Sequence, residues 1–145
     1  MGEIAYHYQT KFKVEHTGKY TDWIIRLIDS HNAVPGTINF VFCSDNDLLE
    51  MNRKYLMHDY YTDIITFEYE EIEGISGDLF ISVDRVIENA RDQGVEQFEE
   101  LRRVMAHGVL HLIGYGDKTE EQIKSMRNQE AEALAMFHVK HNRGV

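Results

Sequence analysis

His107 and His111 stand four residues apart in a run that reads His-Gly-Val-Leu-His-Leu-Ile-Gly-Tyr-Gly-Asp. On a helix that spacing puts one imidazole a turn above the other, with Cβ atoms about 5–6 Å apart. Both rings can then reach one ion through Zn–N bonds of about 2.0–2.1 Å. Gly114 falls where such a helix can end, because glycine takes a left-handed cap without steric cost. The chain can turn there and return Asp117 as an oxygen ligand. Three protein ligands with a fourth position open describe a catalytic zinc site, whereas structural sites are usually closed by four. Eight His in 145 residues yield roughly 0.4 pairs at this spacing by chance, so the pair alone says little. The weight comes from its combination with a glycine bend and a third donor beyond it.

Positioning those side chains requires a helix over Gln97 to Ile113. Leu101, Val104, Met105, Val109, Leu112 and Ile113 supply its core-facing side and direct His107 and His111 toward a cleft; Leu110 fits neither side. Upstream, Ile4 to Val14 alternates loosely as a strand. Thr21 and Asp22 offer an N-cap for a helix carrying Trp23, Ile24, Leu27 and Ile28, which Asn32, Pro35 and Gly36 stop. Ile38 to Cys43 reads as a strand, and Ser44 caps a helix running to about Tyr55. Leu56 to Tyr61 is a loop leading into a β-branched strand, Thr62 to Phe67. Glu68 to Gly77, acidic and turn-prone, is a solvated hairpin connection, and Asp78 to Val83 returns as a strand.

Helices follow over Val83 to Gln93, Gln97 to Ile113 and Thr119 to His138, the last opening with Thr119 and Gln122 in capping-box spacing. His138 and His141 lie on its polar end and read as surface residues. This order gives an α/β (α+β) fold, a mixed four-stranded sheet packed with about five helices. With no repeat or low-complexity linker, residues 1–145 read as one domain.

The composition, 43% hydrophobic and 28% charged, is that of an ordinary globular protein. No apolar run approaches the roughly 18 residues of a membrane span, and no basic segment leads into an apolar core at the N-terminus. A cytoplasmic location is therefore expected, with neither membrane nor DNA as a partner. A formal charge of −10 argues against broad nucleic-acid binding but leaves room for a local basic groove. The lone Cys43 sits in an apolar run, as a buried thiol in a reducing compartment would, and excludes an intramolecular disulfide.

The run from His107 to Asp117 resembles the HGxLHLxGYDH signature of the bacterial YbeY family of rRNA-maturation endoribonucleases. Asn52-Arg53-Lys54-Tyr55 followed by Thr62-Asp63-Ile64-Ile65-Thr66-Phe67 resembles that family's LNxxYR…TDVLSFP segment, and Gly77-Asp78-Leu79-Phe80-Ile81-Ser82 resembles its GDIxIS strand. The three motifs occur in the family's order between about residues 45 and 117. The resemblance implies an α/β fold with a four-stranded sheet, one metal ion, usually taken to be Zn²⁺, held by three side chains, and single-strand endoribonuclease activity. It further implies 16S rRNA 3′-end maturation, ribosome quality control and the small ribosomal subunit as partner.

Carried over by position, His107 and His111 match the first two ligands. The third, a family His, falls on Asp117, because the family's Asp-His reads Gly116-Asp117 here. A carboxylate is an accepted zinc ligand, but it cancels one unit of the ion's charge and acidifies bound water less. Two His and a carboxylate also suit Fe²⁺ or Mn²⁺, with zinc kept ahead. A second departure is Leu56, standing where the family has a cleft Arg able to hold phosphate. Arg53, Lys54 and His58 are the nearby substitutes, and Tyr60 and Tyr61 offer rings for base stacking.

Asp63 is a candidate catalytic group that orients a water or a His ligand, or alternatively a strand-start carboxylate bonding its own backbone. Gly108 stands where zinc proteases of the His-Glu type carry their general base, which argues against that chemistry. The expected function is a metal-dependent endoribonuclease. The alternatives are a ribosome-associated binding protein with a structural metal, and a metallohydrolase of another substrate.

Overall fold

The computed structural model describes residues 2–70 and 73–139, which form four strands and five helices. In chain order these are β1 (Ile4–Tyr8), α1 (Thr17–Ser30), β2 (Pro35–Cys43), α2 (Asp45–Leu56), β3 (Ile64–Tyr69), β4 (Ile75–Ser82), α3 (Val83–Gln93), α4 (Gln97–Ile113) and α5 (Glu120–His138). The sheet runs β1-β2-β4-β3. β1 and β4 pair parallel to β2, and β3 pairs antiparallel to β4 at the edge. The expected α/β fold with a mixed four-stranded sheet and five helices is what the chain adopts. Among the described residues, no helix is long and apolar enough to cross a membrane.

Alternation along the strands sorts the side chains. Ile38, Phe40, Phe42, Leu79 and Ile81 project into the main core with Trp23, Ile24, Leu27 and Ile28 of α1. On the opposite face Cys43, Leu48 and Ile65 form a smaller cluster that seats α2. The Cys43 thiol is fully buried, and burial with the nearby Asp47, Asp84 and Asp45 charges pushes its pKa up to about 12, so it is inert.

α4 is enclosed nearly all round, packing on α3, α5, β3 and β4. That enclosure places Leu110, which is fully buried along with Val109 and Leu112. The buried residues of α4 run round the helix axis within one core, a pattern that a single amphipathic stripe does not describe.

The helix carrying Trp23 starts a turn earlier than its capping residues suggested. Thr21 Oγ1 bonds the Tyr6 hydroxyl at 2.9 Å and Asp22 pairs with Arg26 at 3.0 Å, so neither serves a helix N–H. Lys19 N–H instead donates to the carbonyl of His16, the left-handed residue that opens α1. β1 ends at Tyr8 rather than Val14, because Lys11 to Val14 leave the sheet and Val14 turns into the core. β3 and β4 are both longer at the hairpin than expected, leaving a short connection between Tyr69 and Ile75.

Gly77 of β4 leaves no room for a side chain: a Cβ there would lie 2.5 Å from the Phe67 carbonyl oxygen and 3.0 Å from Leu112 Cδ2. Backbone cannot retreat as a flexible side chain would. Gly77→Ala is therefore expected to destabilise the protein by about 1–3 kcal/mol, read as a lower denaturation midpoint at unchanged m-value in urea unfolding.

Candidate metal centre

α4 delivers both histidines from its last two turns. Gly114 ends the helix at φ 131°, with its N–H donating to Leu110 and His111 and the Tyr115 N–H donating to the Leu110 carbonyl at 3.0 Å. That six-to-one bond is the Schellman closure, and it reverses the chain so that Asp117 returns over the imidazoles. Asp117 Oδ2 then lies 3.2 Å from His111 Nε2 and 3.4 Å from His107 Nε2. One donor atom from each residue falls within 4.8 Å of the others.

A tetrahedral ion with bonds of about 2.1 Å has ligand–ligand edges of about 3.4 Å. The two measured edges match that figure, so the donor set fits one divalent ion. The side chains of His107, His111 and Asp117 are 19%, 27% and 41% exposed, so the fourth corner faces the cleft.

Below the imidazoles lies a buried charge network. The His107 Nδ1–H donates to Glu130 Oε2 of α5 at 2.7 Å, which fixes the tautomer with Nε2 free to bind metal. Arg103, one turn before His107, donates to Glu100 at 2.7 Å and Glu130 at 3.1 Å, and stands 3.6 Å from Asp63. Burial pushes the Glu130 carboxyl up, but the His107 hydrogen bond and the charges of Arg103 and His107 outweigh it and hold the group below the ordinary carboxylate range. Asp63 moves the other way. Burial raises it, and Arg103, His107 and its own backbone N–H bring it only partly back. Asp63 bonds its own backbone and lines the cleft beside His107 and His111.

The cleft holds about 560 Å³. Its lining comes from the end of α2 and the loop after it, from β3, from α4 and from the turn bearing Asp117 and Lys118. Buried Asn52 shapes the loop: its carbonyl accepts from the His58 N–H at 3.0 Å and its Nδ2 donates to the Tyr60 carbonyl at 2.9 Å. Leu56, His58 and Tyr60 line the cleft, with the His58 and Tyr60 rings stacked at 5.1 Å. Arg53 is engaged with Asp59 and Glu50, Lys54 lies over the Tyr55 ring, and neither is among the lining residues. Tyr61 packs under the Arg85 guanidinium instead. His138 is exposed as expected, and His141 lies outside the described residues.

Comparison with known proteins agrees with this architecture. The family model described as "Endoribonuclease YbeY" matches residues 4–138. The chain is 47% identical over 139 residues to the protein named Endoribonuclease YbeY of Flavobacterium psychrophilum, covering 96% of this chain and 99% of that one. It is 46% identical over 136 residues to the protein of the same name from Flavobacterium johnsoniae, covering 94% and 98%. The chain belongs to the YbeY endoribonuclease family. A solution structure of a Thermotoga maritima protein has the same fold, with a TM-score of 0.63 at 22% identity over 94% of this chain and 89% of that one.

In this YbeY-family chain the residues around the triad that motif reading missed are Glu100, Arg103 and Glu130, together with the organising role of Asn52. A signal for two of them was present. Glu100, Arg103, His107 and His111 repeat at helical spacing, a polar stripe on a helix otherwise built for the core. Glu130 left none, since its partner is 23 residues away.

Replacing Glu130 by Gln removes the anion that holds the His107 tautomer. Metal affinity is expected to fall about 10–100-fold in a competitive chelator titration. Glu130 titrates below its unfolded value, so the stability it contributes is present at neutral pH and lost as the pH falls through that lowered value. The difference between wild type and Glu130→Gln in metal-free unfolding should accordingly shrink toward acid pH.

Proposed function

We propose that this protein is a metal-dependent, single-strand-specific endoribonuclease, with His107, His111 and Asp117 holding one Zn²⁺ ion. The observation that carries this reading is the pair of tetrahedral edges from Asp117 Oδ2 to two imidazole nitrogens, at the mouth of a cleft in a YbeY-family chain. Fe²⁺ and Mn²⁺ suit the same ligands less well than zinc suits a tetrahedron.

The ion, when bound, supplies Lewis acidity to the phosphodiester and to water. The chain's residues supply the remainder. Glu130 and Arg103 keep His107 oriented. Asp63, a half-buried carboxylate raised above its ordinary range, is suited to take the proton of the attacking water as its oxygen bonds to phosphorus. The P–O bond to the leaving ribose oxygen breaks, and that oxygen takes up the proton Asp63 received, which restores the carboxylate. The stacked His58 and Tyr60 rings give an unpaired base a face to lie on, and a base within a duplex has no such face free. This favours single strands.

The same reading proposes residues 1–145 as one functional unit in the cytoplasm, acting on rRNA at the small ribosomal subunit in 16S 3′-end maturation and ribosome quality control. The family membership supports it, and no step above requires a membrane or DNA.

Elemental analysis should find one zinc per chain, lost in Asp117→Ala. Cleavage of a single-stranded rRNA precursor should disappear with chelator and in His111→Ala, and return on adding zinc to the wild type alone. Cleavage indifferent to both controls would overturn the reading. Asp63→Asn is expected to lower kcat by about 10²–10⁴ while keeping its metal.

A further inference from the structure

Charge is unevenly distributed around the cleft. Its lining includes three carboxylates, on Asp63, Glu68 and Asp117, and a single lysine or arginine, Lys118. The Asp63 charge is answered from below by Arg103 at 3.6 Å. Asp117, as a carboxylate ligand, cancels one unit of a divalent ion's charge. Leu56, also in the lining, is uncharged. A phosphodiester entering this cleft meets one side-chain cation.

Lys118 is built for that contact. Its backbone N–H donates to Gln122 Oε1 at 3.0 Å, and the Thr119 N–H donates to the same oxygen at 3.3 Å. The Thr119–Gln122 capping box thus fixes the main chain directly beyond Asp117. The side chain is exposed, and among the described residues its ammonium makes no hydrogen bond, ion pair or ring contact. Arg53 and Lys54 are committed elsewhere.

We propose that Lys118 is the phosphate-binding cation of the cleft, seating the RNA phosphodiester against the metal ligands from the Asp117 turn. The assignment rests on the endoribonuclease reading for the identity of the anion as RNA. Lys118 restores the positive charge that the carboxylate ligand removes, in a lining to which Leu56 brings none.

The test titrates a labelled single-stranded oligoribonucleotide into chelator-treated protein, where cleavage does not compete, across a salt series. It also measures KM, kcat and bound zinc in the metal-loaded enzyme. Lys118→Ala is expected to reduce the slope of log K against log salt by about 0.7, equivalent to about fivefold weaker binding near 0.1 M salt. KM should rise by a similar factor and zinc content should stay at the wild-type value. Lys118→Arg should keep the slope, and Leu56→Arg added to Lys118→Ala should recover part of it.

Equal slopes and affinities for wild type and Lys118→Ala would overturn the proposal. So would loss of zinc in Lys118→Ala, which would make the residue a support for Asp117. If the wild type binds RNA with the Lys118-dependent slope and cleaves none, the nuclease reading falls and the phosphate contact stands.

Discussion

The hydrogen bond from His107 Nδ1 to Glu130, 2.7 Å long, is where the chemistry of this protein is tied to its fold. Glu130 is only 4% exposed, and a carboxylate that far from water stays ionised only if other groups answer its charge. Arg103 does so, and the same guanidinium serves Glu100, which is 1% exposed. Neither end of the bond is free to drift. α4 is enclosed by three other helices and two strands, and α5 is fastened to α1 by Trp23 Nε1 on the Ala133 carbonyl and Arg26 on the Met136 carbonyl. A ring held in this way presents Nε2 in one direction, which preorganises it as a ligand.

The network also sets the electrostatic character of the site. Three carboxylates, Glu100, Glu130 and Asp63, gather around one guanidinium, an excess of negative charge directly beneath two imidazoles. Such an excess attracts a divalent cation and disfavours ionising every carboxyl without one, which agrees with Asp63 being raised while Glu130 is lowered. The two groups differ in their neighbours. Glu130 has a close hydrogen bond from His107 as well as Arg103, whereas Asp63 has the guanidinium at 3.6 Å and its own backbone N–H.

Much of this was legible in the residues, and what was not has a physical reason. Helices α3 and α4 fall on their expected limits because Gly94 and Gly114 end them with positive φ, and α5 opens at its capping box. The convergence of His107, His111 and Asp117 follows from local geometry, since all three lie within eleven residues. The start of α1 was misjudged because Thr21 and Asp22 had better partners than helix N–H groups, and those partners come from tertiary packing. Glu130 and Asn52 were unreadable for the same reason: an ionised or amide side chain looks solvated until the burial around it is known.

The departures of this chain from its family's motifs make better sense together than singly. A carboxylate at position 117 adds negative charge to the cleft, and Leu56 brings no cation to its lining. Taken alone, each change works against holding a phosphodiester. Yet the residue after the carboxylate is Lys118, whose backbone is pinned by the cap of α5 while its side chain stays unengaged among the described residues. The loop that follows α2 carries stacked His58 and Tyr60 rings, held by Asn52. In the proposed complex with RNA the two features divide the work of holding the strand. Phosphate would be drawn to Lys118 by Coulomb attraction, and an unpaired base would stack on the rings of the loop.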